Sequence, residues 1–340
     1  MKSKLLVAVI LAIAAVCSIG AAAPVAQAIA ESQKPHTLVV LGDSIASEYG
    51  VGVGHGYPSL VAGDKNLVLE NYAVAGWRTE QVINQLTTDE SAKEAVKNAD
   101  AIQITIGGND LQQAGYVGPS IDAIMQGDTS LWEQQCADTA ARFANIVTLV
   151  RALNPDAPFF VFNSYTPDYK RYGAINIASS IGAKIAITGN QLFDIAQNYA
   201  IPYWNSSYEA YLQQNPSAFI LVDIFDAFPG NASSYYSSAD VIHPSVAGHQ
   251  MLRERLDAAI DTYNSENIIV TPSAQVNKLT GNKNLLTVVV TESFPLAAAK
   301  TIETSFSIDN NSSGYYYVGD YTVYVDTKGN TQIRECYIAA

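Results

Sequence analysis

Two short segments of the chain could together break an acyl bond. Gly42-Asp43-Ser44 offers a hydroxyl, and Asp240-Val241-Ile242-His243-Pro244 offers an imidazole with a carboxylate three residues before it. A serine hydroxyl is a poor nucleophile at neutral pH and needs a base within hydrogen-bond reach. His243 can be that base. Asp240 is spaced to reach the other imidazole nitrogen, fixing its tautomer and stabilising the imidazolium. The same spacing also suits an aspartate that merely caps the turn before Pro244, and both readings stand. A tetrahedral intermediate further needs hydrogen-bond donors aimed at its oxyanion. The Ser44 N–H, the Gly76 N–H in Asn71-Tyr72-Ala73-Val74-Ala75-Gly76 and the Asn109 amide in Gly107-Gly108-Asn109-Asp110 are the candidates. Gly76 has no side chain to obstruct an approaching substrate, although each of these residues also serves as an ordinary turn residue.

Such residues must be brought to one place by regular elements. Thr37-Leu38-Val39-Val40-Leu41 is an almost continuous apolar run of the kind buried in a parallel sheet, and Gly42-Asp43-Ser44 ends it before an expected helix. Further strands are expected at residues 67–72, 100–106, 158–162 and 201–204. Helices are expected at 89–98, 131–153, 247–263 and over most of 174–200. Strands alternating with helices argue for a parallel sheet covered on both faces. In such sheets the loops at the carboxyl ends of the strands carry the chemistry. Gly42-Asp43-Ser44, Gly107-Gly108-Asn109 and Asn163-Ser164-Tyr165 all follow strands directly, which places them on one edge.

The four segments, in this order, resemble the SGNH (GDSL) hydrolase superfamily of esterases and lipases. The shared contexts are Asn-x-Ala-x-x-Gly, Gly-x-Asn-Asp and Asp-x-x-His-Pro followed by Gly248, and they span about residues 37–263. The resemblance implies that Ser44, Gly76, Asn109 and His243 are the residues for which the superfamily is named. It also implies a three-layer α/β/α sandwich with a flavodoxin-like sheet of five parallel strands. Rival constellations are missing from the sequence. It has no Gly-x-Ser-x-Gly elbow and no phosphate loop. The run Gly50-Val51-Gly52-Val53-Gly54-His55-Gly56 does not fit Gly-x-Gly-x-x-Gly and reads as a mobile loop beside Ser44.

Residues 1–28 read as a signal peptide: Lys2 and Lys4, an apolar run from Leu5 to Val16, then Ala26-Gln27-Ala28 as a small-residue cleavage site. The run is short for a membrane anchor. Removing these residues takes the net charge from −13 to −15. So acidic a chain disfavours nucleic acid and anionic membranes as partners. The mature chain is expected to be secreted and extracellular, with no transmembrane anchor. Residues 29–265 form the catalytic domain in this reading. Residues 266–340 change to closely spaced strand patterns, with a hairpin turn at Asp326-Thr327-Lys328-Gly329-Asn330, and read as a small all-β module. Its Tyr315, Tyr316, Tyr317, Tyr321 and Tyr324 fit either a packed strand face or a sugar-binding one. Cys136 and Cys336 are either a disulfide or two separate thiols.

The expected activity is that of a secreted serine carboxylic-ester hydrolase, an esterase or lipase acting through an acyl-enzyme on Ser44. The alternatives are a carbohydrate O-deacetylase and a non-catalytic extracellular glycan-binding protein. His36, His55 and His249 form no metal-ligand spacing, so no metal and no organic cofactor are expected. Trp77 and Tyr165, with Tyr49 and Tyr57, are candidate substrate-binding residues. The apolar stretch 114–125 fits either a flap over an acyl chain or a helix packed on the sheet.

Overall fold

A computed structural model of the chain describes residues 36–112, 115, 117–228, 233–267, 269–278, 283–293, 296, 300–309, 315–324 and 331–339. The signal-peptide reading, the Asp326–Asn330 turn and Ala114 and Tyr116 of the apolar stretch lie outside the described residues.

Five strands, β1 (Thr37–Gly42), β2 (Val68–Asn71), β3 (Ala101–Thr105), β4 (Phe159–Phe162) and β5 (Ile220–Val222), form one sheet in the order β2-β1-β3-β4-β5. Every pairing in it is parallel. This order is the flavodoxin-like one, with a switch point beside β1. The helices are α1 (Tyr57–Lys65), α2 (Thr79–Thr88), α3 (Glu90–Asn98), α4 (Gly108–Gln112), α5 (Val117–Met125), α6 (Ser130–Leu153), α7 (Ala178–Ile181), α8 (Gly189–Ile195), α9 (Ile201–Gln214) and α10 (Val246–Glu266).

Side chains alternate across a strand, so a strand buried on both faces is apolar at most positions. Val39 and Leu41 of β1 join Ile102, Ile104, Phe159 and Val161 in a core beneath α2, α3, α6 and α9. Leu38 and Val40 join Phe160 and Phe162 in a second core beneath α1 and α10. The result is the three-layer α/β/α sandwich. In α6 the buried residues Trp132, Gln135, Cys136, Thr139, Phe143, Ile146, Val147 and Val150 recur at intervals of one, three and four, which is one face of a helix. Asn154 ends α6 in an extended conformation before Pro155. Its amide donates to the carbonyls of Val96 and Ala99, tying α6 to the end of α3. Cys136 is a buried free thiol on that face.

The segment 201–204 is not a strand but the first turn of α9, reached from α8 through a π-helical turn, Ala196–Ala200. Pro202 sits in the first turn, where its missing N–H is harmless. Ile201, Trp204, Asn205 and Tyr208 are buried at helical spacing. The fifth strand is instead Ile220–Val222. The region 174–200 is only partly helical, made of α7, α8 and the π turn.

Beyond α10, β6 (Ile269–Lys278), β7 (Lys283–Ser293) and β8 (Lys300–Asp309) form an antiparallel sheet, and β9 (Tyr315–Tyr324) pairs antiparallel with β10 (Thr331–Ala339). Tyr315–Tyr324 is the single strand β9, so Tyr315, Tyr316, Tyr317, Tyr321 and Tyr324 all lie on one strand. Leu296, between β7 and β8, is buried in the α1/α10 core, and its N–H donates to Asn264 Oδ1 at 3.0 Å.

Candidate active site

Ser44 follows β1 directly, but no helix follows it. Residues 44–51 form successive turns up to the glycine-rich run. Gly42 has φ +130, and a Cβ there would lie 2.1 Å from the Thr105 carbonyl oxygen. That close approach lets the Asp43 N–H donate to Thr105 O at 3.1 Å, locking the serine turn against β3. The glycine-rich run is held by Glu48, a buried carboxylate missed by sequence reasoning. It accepts from the Gly54 N–H at 2.6 Å and the Ser59 N–H at 3.0 Å. This fixes the loop that carries Tyr49, whose ring packs on His243 with centroids 4.7 Å apart.

The other segments are laced to the serine turn and to one another. Asn71 donates to Ala46 O at 2.8 Å, and the Val74 N–H donates to Gly42 O at 3.0 Å. Gly76 follows at φ +82, a conformation favouring glycine, with nothing near its missing side chain. The Asn109 amide donates to Trp77 O at 2.8 Å. Asp110 beside it is buried, accepts the Thr79 N–H at 2.9 Å and pairs with Arg142 at 3.2 Å. Asn109 and Gly76 are therefore positioned as one unit.

The histidine loop arrives from the opposite side. Tyr165, the candidate substrate contact, is buried; its hydroxyl donates to Ile242 O at 2.6 Å and its ring stacks on Phe228. Arg171 donates to the carbonyls of Ser237 at 2.6 Å and Asp240 at 2.9 Å, and its other end pairs with Asp168. These contacts aim the turn. Asp240 Oδ1 accepts the N–H groups of Ile242 and His243 at 2.8 and 2.7 Å, and its Oδ2 lies 2.9 Å from His243 Nδ1. His243 Nε2 lies 2.9 Å from Ser44 Oγ. The hydrogen-bond network thus assigns the ring proton to Nδ1, leaving the Nε2 lone pair facing the hydroxyl. Burial would push the Asp240 carboxyl up. The His243 backbone N–H, the His243 ring and the Ile242 N–H outweigh it and hold the group below the ordinary aspartate value.

Ser44, Gly76, Asn109 and His243 line the mouth of a cavity of about 520 Å³, together with Ile45 and Tyr49. Tyr165 contributes to its wall. The Trp77 side chain packs against the α2/α6 core instead, and Tyr57 is wholly buried in the α1/α10 core; neither is among the lining residues. The described part of the stretch 114–125 is the helix α5, and its Val117 and Ile121 line the cavity.

Asp43, next to the nucleophile, is pushed up from 3.8 to about 7, first by burial and further by the nearby Asp110, against a hydrogen bond from the Ile45 N–H. Its folded-state value exceeds its unfolded one. Between pH 3.8 and about 7 the folded chain holds a proton that the unfolded chain has lost. This group therefore takes stability away as pH rises through that window. Asp43→Asn, which keeps an acceptor for the Ile45 N–H, is expected to melt progressively higher relative to the native protein as pH increases from 4 to 8. A melting-temperature difference that stays flat with pH would show that Asp43 is already ionised in the folded protein at pH 4.

A family model described as GDSL-like lipase/acylhydrolase matches residues 40–251. Among curated proteins, the uncharacterized protein YpmR of Bacillus subtilis is 27% identical over 239 residues, covering 67% of this chain and 82% of that one. The spore germination lipase LipC of Bacillus licheniformis is 25% identical over 234 residues, covering 64% and 93%. Among solved structures, the lipase Lip_vut3 from a goat rumen metagenome has a TM-score of 0.47 and 23% identity, covering 66% of this chain and 97% of that one.

Proposed function

Because the chain belongs to the GDSL-like lipase/acylhydrolase family, we propose that it is a secreted serine esterase that hydrolyses carboxylic esters through an acyl-enzyme on Ser44. The observation that carries this reading is the continuous relay at the cavity mouth: Asp240 Oδ2 to His243 Nδ1 at 2.9 Å, and His243 Nε2 to Ser44 Oγ at 2.9 Å.

Ser44 Oγ attacks the ester carbonyl carbon as its proton passes to His243 Nε2. The carbonyl oxygen becomes the oxyanion and takes hydrogen bonds from the Ser44 N–H, the Gly76 N–H and the Asn109 amide. The imidazolium is stabilised by the ionised Asp240. It then gives its proton to the departing alkoxide as the tetrahedral intermediate collapses to acyl-Ser44. Water repeats the sequence: His243 takes its proton, the hydroxide adds to the acyl carbon, and the Ser44 oxygen leaves reprotonated, releasing the acid. Secretion is supported by the basic start, apolar run and Ala26-Gln27-Ala28 of residues 1–28. Among the described residues no helix is long and apolar enough to cross a membrane.

A carbohydrate O-deacetylase is the alternative enzyme. An acetyl group would leave most of the cavity beside Ser44 without an occupant, which favours a larger acyl group. A fluorophosphonate probe tests the mechanism directly. The native protein is expected to be labelled once, on the peptide containing Ser44, and an ester substrate is expected to compete. A folded, unlabelled native protein would instead favour an extracellular binding protein.

A further inference from the structure

The cavity does not stop at the catalytic groups. Past Leu111 it runs between α5, α6 and the π turn, bounded by Ile121, Trp132, Leu192, Ala196 and Ala200. All five of these are at most 6% exposed, whereas Tyr49 at the mouth is 54% exposed. Apart from Gln112 beside Leu111 and the residues at the catalytic end, the polar side chains along the wall are engaged elsewhere. Thr105 Oγ1 bonds Tyr57 and Gln103, Ser164 Oγ accepts from Trp204, and Asn163 bonds Asp223 and the N–H of Ile224. A pocket lined mainly by buried apolar side chains takes an apolar ligand.

Which half of an ester enters follows from proton transfer. His243 must protonate the leaving alcohol, so the alcohol lies on the His243 side, beside the exposed Tyr49. The acyl carbon then faces the other way, toward Leu111 and α5. A methylene displaces roughly a water's share of liquid volume, about 30 Å³. With the ester head, the alcohol side at His243 and Tyr49 and imperfect packing subtracted, the cavity of about 520 Å³ leaves room for a straight chain of roughly ten carbons.

The Trp132 indole donates Nε1 to Ala200 O at 3.1 Å, closing the gap between α6 and the π turn. The adjoining wall is made by two alanines, Ala196 and Ala200, the smallest side chains that a helical turn tolerates without strain. We propose that Ala196, Ala200 and the Trp132 indole close the acyl end of the cavity and set the length of the acyl chain, and that the preferred substrates carry straight acyl chains of medium length. This rests on the ester-hydrolase reading above and adds the substrate class and the residues that select it.

The test is a series of p-nitrophenyl esters from acetyl to palmitoyl, run on the native protein and on Ala200→Leu, Ala196→Val and Trp132→Leu. For the native protein kcat/KM is expected to rise to about ten carbons and then fall. Ala200→Leu adds roughly three carbons' worth of obstruction and is expected to cut the decanoyl-to-acetyl ratio of kcat/KM at least tenfold, since one misfitting methylene is worth about 10–200-fold. Trp132→Leu removes the end wall and is expected to move the optimum to longer chains. Ala196→Val is the milder obstruction, and supports the same conclusion if Ala200→Leu fails to fold. A parallel series with fixed acetyl and lengthening alcohols is expected to show no optimum. Ratios within twofold of native in the folded variants, or a length optimum that follows the alcohol, would overturn the assignment while leaving the esterase intact. No turnover of any ester, with no fluorophosphonate labelling, would overturn both.

Discussion

Replacing Ser44 by alanine is expected to lower kcat toward ester substrates by roughly 10⁴–10⁶, with little change in melting temperature. The hydroxyl's contact at the site is the 2.9 Å one to His243 Nε2, so its removal leaves the turn locked by Asp43, Asn71 and Glu48. Without Oγ no acyl-enzyme forms, and His243 has no proton to take. What remains is the oxyanion site, which can still polarise a bound carbonyl for attack by water. The double variant Ser44→Ala with His243→Ala is expected to lose no more than the single one. The two groups act in one proton transfer, and removing either removes the step. Single-turnover measurements on decanoyl and acetyl esters would check both statements. An additive loss in the double variant would mean that His243 serves catalysis without Ser44, for example by activating water directly.

The parts of this protein set by local chemistry are legible in its sequence. Apolar runs mark β1 and β4 because strands buried on both faces leave no polar alternation, while β3 is buried throughout but carries Gln103 and Thr105, which bond each other and the Tyr57 hydroxyl. The glycines at 42, 76 and 107 mark turns because each sits at positive φ. The Ser44 and Asn109 segments follow the ends of β1 and β3, and the order and contexts of all four segments carry the family. What sequence could not give is the role of residues whose meaning lies in a distant neighbour. Glu48, Asp110 and Arg171 are charged residues in loops or short elements, and nothing nearby in sequence says that each pins a site loop. Tyr165 looked like a pocket aromatic because it follows a strand end. Its hydroxyl is spent on Ile242 O, so it supports the histidine loop as well as bordering the cavity. The misplacement of the fifth strand has a plain cause. Ile201-Pro202-Tyr203-Trp204 is a short apolar run, and such a run has no period until Asn205 and Tyr208 extend it to helical spacing.

Asp240→Asn is expected to lower kcat by about 10³–10⁴ while KM changes little, and it separates the two roles that the spacing allows. Asparagine keeps the Oδ1 acceptor, so the N–H groups of Ile242 and His243, now at 2.8 and 2.7 Å, remain capped and the turn holds its shape. At the other oxygen position the substitution sets an NH₂ group against His243 Nδ1, where the carboxylate stood at 2.9 Å. Two donors cannot face each other at that distance. The ring therefore moves its proton to Nε2 and accepts at Nδ1. Nε2 then donates to Ser44 Oγ instead of accepting from it, and the nucleophile loses its base. The imidazolium of the transition state also loses its counter-charge. A pure cap would tolerate the change, since every backbone hydrogen bond survives, so a loss smaller than tenfold would reduce Asp240 to a turn residue. Fluorophosphonate labelling follows the same logic. Its rate is expected to fall with kcat, because phosphonylation needs the same proton transfer from Ser44, whereas a defect confined to substrate binding would leave it unchanged.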